Sequence, residues 1–110
     1  MTDLVNATEL TPRANLNEMI QNSPHVILYF YTTWCKPCKQ TEPMIAEIAA
    51  EFPNVMIIKI NADSHPLICA GYEIKSVPIM IGIGERRFYL SGYGPITNVR
   101  KTLEKEWNLK

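Results

Sequence analysis

The chain has 110 residues, with eleven Lys+Arg balanced by eleven Asp+Glu and a formal net charge of zero. That length predicts one domain over 1–110, with an adequate core but no room for a second. No basic tract points to nucleic acid, and apolar runs of about six or seven residues fall far short of a membrane span, so neither partner is expected.

Leu4 to Ala7 predicts a short first strand. Thr11-Pro12 resembles an N-cap followed by proline at the first helical position, with Leu16, Met19 and Ile20 at helical spacing and an end near Ser23-Pro24. Val26 to Tyr31 is a continuous apolar, β-favouring run, as in a central strand buried on both faces. From Cys35 to Phe52 the residues Met44, Ile45, Ile48, Ala49 and Phe52 form one helical stripe, with Pro43 inside the helix and expected to kink it. Val55 to Ile60 predicts a second buried strand, ended by Asn61-Ala62-Asp63. Ser64 is placed to cap a short helix reaching Tyr72. Pro78 to Ile83 and Arg86 to Leu90 read as strands joined by a tight turn at Gly84-Glu85. Ile96, Val99, Leu103 and Trp107 give a final helix one apolar face. Strands alternating with helices predict an α/β fold: a mixed central sheet of four to five strands, helices on both faces, and an antiparallel hairpin at one side.

Chemistry concentrates at Trp34-Cys35-Lys36-Pro37-Cys38-Lys39. Two thiols three residues apart at the start of a helix face the same side, close enough to close a disulfide. Free N–H groups and the partial positive charge of a helix N-terminus favour a thiolate, the species that attacks disulfides. Lys36 adds positive charge beside Cys35. The pattern reads as a site for reversible dithiol–disulfide exchange. The rival is a metal site, because His65 and Cys69 supply a second pair at zinc-like spacing. A knuckle turn suits such a site better than a helix start containing proline. Cys69 otherwise reads as a small buried hydrophobe. His25 reads as a surface residue, and Arg86 and Arg87 as exposed hairpin residues. Three cysteines and no visible signal segment at Met1-Thr2-Asp3-Leu4 point to a reducing cytoplasm.

The motif Trp34-Cys35-x-Pro37-Cys38-Lys39, Pro43 within the following helix, Lys59-Ile60-Asn61-Ala62-Asp63 at a strand end, Ser76-Val77-Pro78 forty residues past Cys38, and Gly84 and Gly92 together resemble the thioredoxin family. The resemblance implies a thioredoxin fold and a protein disulfide reductase, with Cys35 as accessible nucleophile and Cys38 as buried resolving thiol. It implies a cis Val77–Pro78 bond, and a flat apolar patch of Trp34, Ala62, Val77, Pro78, Gly92 and Tyr93 around Cys35, with Lys36 and Pro37 at its rim. It also implies no bound cofactor, electrons from NADPH through a thioredoxin reductase-like donor, disulfide-containing protein substrates, and a monomer. Two other readings carry weight: a glutaredoxin-like, glutathione-dependent reductase, and a thioredoxin fold used as a binding subunit of a larger complex. Lys36 replaces the family's glycine, and Tyr29 stands where the family buries an acid. A tyrosine cannot serve as that acid, so the resolving step is expected to rely on water or substrate groups. Lys59, for which the family reading suggests a charge role near Cys38, is expected to turn toward solvent or a backbone carbonyl, since the neighbouring strand offers no carboxylate.

Overall fold

The computed structural model describes residues 6–91 and 94–109. Its elements run β1 (Ala7–Glu9), α1 (Leu16–Gln21), β2 (Val26–Tyr31), α2 (Lys36–Glu51), β3 (Met56–Asn61), α3 (Pro66–Gly71), β4 (Ile79–Ile83), β5 (Phe88–Ser91) and α4 (Ile96–Trp107). The five strands form one sheet in the order β1-β3-β2-β4-β5. β1 and β2 both run parallel to β3, while β4 is antiparallel to β2 and to β5. β2 therefore lies in the middle, and its first five residues are fully buried.

Alternation along the strands sorts the core into two layers. Ile27, Tyr29, Ile57 and Met80 pack with Ile45, Ile48 and Ala49 of α2 and Val99, Leu103 and Trp107 of α4. Leu28, Phe30, Ile58, Ile60 and Ile81 pack on the other face, against Leu16, Met19 and Ile20 of α1 and Ile68 of α3. Helices thus cover both faces, and neither set of apolar residues could be exposed without losing a large part of the burial that stabilises the sheet.

Several boundaries differ from expectation. The first strand is Ala7–Glu9, shifted toward the C-terminus, and Leu4 lies outside the described residues. The helix expected from Thr11-Pro12 starts later, because Asn15 is the better cap: its side chain accepts from Glu18 N at 3.1 Å. Thr11 instead accepts from Ala14 N in a turn. His65, not Ser64, occupies the N-cap position of α3, and Pro66 opens the helix. The hairpin turn is not the two residues Gly84-Glu85. Four residues, Gly84 to Arg87, separate β4 from β5.

Contacts of Trp107 explain that end of the sheet. Trp107 Nε1 donates to the Arg86 carbonyl at 2.8 Å, and its ring lies 4.9 Å from that of Phe88 and 4.7 Å from that of His25. A Cβ on Gly84 would come within 2.7 Å of Trp107 Nε1, so only glycine lets the loop approach this closely. At the opposite edge Asn6 is buried, and its side-chain amide donates to the carbonyls of Ala49, Phe52 and Val55 at 2.8, 3.3 and 3.1 Å. That one side chain ties the chain before β1 to the end of α2 and the start of β3.

Candidate active site

β2 ends at Tyr31, and four residues later Cys35 becomes the N-cap of α2. Its extended backbone (φ −83°, ψ 115°) aims the sulfur at the first turn, where Sγ accepts from Cys38 N at 3.2 Å. Pro37 sits in that first turn, where its missing N–H costs nothing. Cys35 and Cys38 are joined in a disulfide, with Cα atoms 5.2 Å apart. The helix thus presents backbone donors to the Cys35 sulfur, which lowers the cost of negative charge there.

The two sulfurs are not equivalent. Cys35 borders a surface groove of about 460 Å³, whereas Cys38 does not. Both are buried in this oxidised form, Cys35 at 6 % exposure and Cys38 at 1 %. The groove, not open exposure of the sulfur, is what distinguishes Cys35, because α2 and the Val77 loop close in on it.

Trp34, Lys36, Pro37, Ile74, Val77 and Cys69 form most of the groove wall. Trp34 is 70 % exposed, and its indole N–H donates to Asp63 Oδ2 at 2.8 Å, which fixes the ring beside the disulfide. Opposite it, Cys35 Sγ lies 3.9 Å from the Val77 carbonyl, and the Val77–Pro78 peptide is cis. Lys36 and Pro37 are exposed at the rim. The surface is a groove and not a flat patch, and two of its expected members stand back from it. Pro78 is buried ahead of β4, and Ala62 turns its main chain inward, its N–H donating to the Tyr31 carbonyl at 2.8 Å. Gly92 and Tyr93 lie outside the described residues.

Cys69, expected as a small buried hydrophobe, packs against the core on the α1 side but is only partly buried. Its Sγ lies 3.8 Å from the Ala62 carbonyl, and burial, then the Asp63 charge, raise its pKa. His65 faces the Leu10 carbonyl at 3.2 Å, so the two residues of the zinc-like pair find separate partners. Arg86 and Arg87 are exposed. His25, expected at the surface, is wedged between Trp107 and Glu85, with its side chain 14 % exposed.

Beneath the disulfide, Tyr29 is fully buried and its hydroxyl donates to the Cys38 carbonyl at 3.2 Å. Burial, then the charge of Glu42, hold its pKa well above the ordinary tyrosine value. Tyr31 stacks on it with ring centroids 5.6 Å apart, and its own hydroxyl donates to Glu9 Oε2 at 2.7 Å. Tyr31 is likewise raised, by burial first and then by the hydrogen bond to Glu9. Lys59 is the parallel neighbour of Tyr29 in β3. Its ammonium does not turn to solvent or a backbone carbonyl: it pairs with Glu42 Oε1 at 2.7 Å, 5.5 Å from the Tyr31 ring centroid. The carboxylate comes from α2, the helix that covers this face, and not from the adjacent strand. Glu42 is the functional candidate the sequence reading missed. Its spacing of four residues from Cys38 was the available signal.

The Thioredoxin family model matches residues 7–105. The chain belongs to the thioredoxin family. A thioredoxin of Pyropia yezoensis is 33 % identical over 104 residues, covering 92 % of this chain and 97 % of that protein. A bifunctional thioredoxin reductase/thioredoxin of Mycobacterium leprae is 33 % identical over 85 residues, 74 % of this chain and 19 % of that protein. Among solved structures, oxidised mitochondrial thioredoxin 3 of Saccharomyces cerevisiae superimposes with a TM-score of 0.78 at 25 % identity, covering 93 % and 97 % of the two chains. An N21Q thioredoxin of Halobacterium salinarum gives 0.83 at 19 % identity, covering 100 % and 98 %, a likeness of fold. With the thioredoxin fold and a cysteine pair that closes a disulfide at the motif position, this chain is a thiol–disulfide oxidoreductase, suited to reducing protein disulfides.

Proposed function

We propose that the chain acts as one domain over 1–110 that reduces disulfides in folded or extended protein segments, with Cys35 as the attacking thiol and Cys38 as the resolving thiol. The observation that carries this assignment is the position of Cys35: N-cap of α2, bordering the groove, with Cys38 one turn behind it. The Cys35 thiolate attacks one sulfur of the substrate disulfide, and the other leaves as a thiolate. Cys38 then attacks Cys35, the second substrate sulfur leaves, and two electrons have passed to the substrate.

Trp34, Pro37 and Val77 offer the substrate an apolar seat, with Lys36 at its rim. Ser76 and Val77, just before the buried Pro78, can pair their backbone with an extended segment. Through the family motif alone, Gly92 and Tyr93 are assigned to substrate docking as well. The dithiol is restored by a thioredoxin reductase-like donor drawing on NADPH, a reading supported by the relative whose name joins the two activities. The protein carries no cofactor of its own in this scheme and works as a monomer in the cytoplasm. Among the described residues no helix is long and apolar enough to cross a membrane.

Insulin-disulfide reduction with dithiothreitol tests the reading. Wild type accelerates precipitation of the insulin B chain, and Cys35→Ser abolishes the acceleration. Supplying glutathione alone as donor separates the glutaredoxin-like alternative, which predicts turnover where this reading predicts little. Full biological function of a Cys35→Ser/Cys38→Ser double variant would instead establish a binding subunit.

A further inference from the structure

Resolution of the mixed disulfide needs a base. Cys38 is 1 % exposed, and its thiol must lose a proton before the sulfur can attack. Tyr29 cannot accept that proton, because its phenol already carries one and donates it to the Cys38 carbonyl. Glu42 follows Cys38 by four residues in α2, so the two side chains project from one helix face. That face meets the sheet at Tyr29 and Lys59, which share a register position and therefore a side of the sheet. Lys59 holds Glu42 there by the 2.7 Å ion pair.

We propose that the Glu42 carboxylate, held in place by Lys59, takes the proton from Cys38, directly or through one water, when Cys38 resolves the mixed disulfide. The inference rests on the Cys35 and Cys38 roles proposed above. Cys38–SH gives its proton to Glu42, which becomes the carboxylic acid. The freed sulfur electron pair forms the bond to Cys35. The bond between Cys35 and the substrate sulfur breaks, and its electron pair leaves with the substrate thiolate, which takes up a proton from Glu42 or from solvent. The cysteine pair loses two electrons and the substrate gains them. The groups that face Glu42 are Lys59 from β3 and Tyr29 and Tyr31 from β2, with Glu9 of β1 reaching it only through the Tyr31 hydroxyl. The Glu42 side chain is 39 % exposed, so the proton can pass on to bulk water between turnovers. A carboxylate carried by the helix thus does what no side chain of β2 can do in this protein.

The test is single-turnover stopped-flow reduction of a peptide disulfide with a fluorophore-quencher pair, followed from about pH 6 to pH 9 so as to bracket thiol ionisation. Attack and resolution are read as separate phases. Glu42→Gln is expected to leave the attack phase unchanged and to slow resolution by about tenfold or more near pH 7. The deficit should shrink as rising pH lets hydroxide deprotonate Cys38, and Glu42→Asp should restore part of the rate. Resolution at the wild-type rate, or slowed by the same factor at every pH, overturns the proposal, the second outcome marking a purely structural effect. Trapping in Cys38→Ser keeps the two layers apart. If that variant fails to hold substrate on Cys35, the roles of the cysteines fail. If it holds substrate while Glu42→Gln resolves normally, only the role of Glu42 fails.

Discussion

The two ends of the sheet each clamp a basic side chain between an aromatic ring and a glutamate. At the hairpin end His25, just before β2, stacks on Trp107 and bonds Glu85 Oε1 at 2.5 Å. At the disulfide end Lys59 pairs with Glu42 beside the ring of Tyr31. The parts are alike but their connections differ. The His25 ring contacts the β4–β5 loop and the last helix, and Trp107 also packs on Phe88 of β5, so the cluster fastens the β4–β5 turn against α4. The Lys59 cluster reaches Tyr29, whose hydroxyl touches the backbone of Cys38. Similar charge–aromatic contacts thus serve anchoring at one end and, on our proposal, proton handling at the other, and the difference lies in what stands one residue further on.

The largest effect that would break the comparison is expected from Trp107→Ala. The ring is 3 % exposed and supports Phe88, His25 and the close approach of Gly84. Its removal should lower stability by about 3–5 kcal/mol in urea unfolding, while the folded fraction exchanges disulfides at the wild-type rate. A slowed exchange per folded molecule would show that the hairpin end is coupled to the site after all.

At the disulfide end, Lys36→Gly should lower the reduction potential of the Cys35–Cys38 couple by about 10–30 mV, read by equilibration with glutathione. A cation beside Cys35 stabilises the reduced thiolate and so raises the potential, and the size is limited because exposed Lys36 is well screened. An unchanged or higher potential would remove Lys36 from the account.

Tyr29→Phe sharpens the contrast further. It removes the bond to the Cys38 carbonyl and should cost about 0.5–1.5 kcal/mol of stability, with the pH dependence of resolution retained. Loss of that pH dependence would move the proton route from the carboxylate to the phenol.

The smallest effect is expected on acidification. The Glu85 carboxyl is held below its ordinary value of 4.5 by its own backbone N–H and then by His25, and that of Glu51 by Arg100. A lowered folded value means the unfolded chain takes up the proton first, so these contributions are complete above pH 4.5 and fade as pH falls through the folded values. The melting temperature of Glu85→Gln should therefore converge on that of wild type in acid, and a gap that widens there would contradict the assignment.

Much of this was legible in the chain. Val26 to Tyr31 names the central strand to the residue, because a strand buried on both faces is apolar without interruption and this short run is rich in β-branched and aromatic residues. The order of nine elements follows from alternating periods, and the cysteines announce the site by their spacing at a helix start. What escaped depends on contacts between distant segments. Asn6 falls within the expected first strand, yet three carbonyls from the end of α2 and the segment leading into β3 converge on its side chain. Gly84 and Trp107 need each other across the fold. Glu42 resembles any charge on the solvent side of a helix until Lys59, placed by strand alternation on the face toward α2, supplies its partner. The strand beside Lys59 offers it no carboxylate, and the helix packed over it does.

The central claim is that Cys35 meets the substrate and Cys38 releases it. Mixing reduced Cys38→Ser and reduced Cys35→Ser separately with a peptide disulfide, quenching with acid and mapping the adducts by mass spectrometry tests it most directly. The account predicts a rapid, stable peptide adduct on Cys35 in the first variant and little on Cys38 in the second. Faster adduct formation on Cys38 would contradict it.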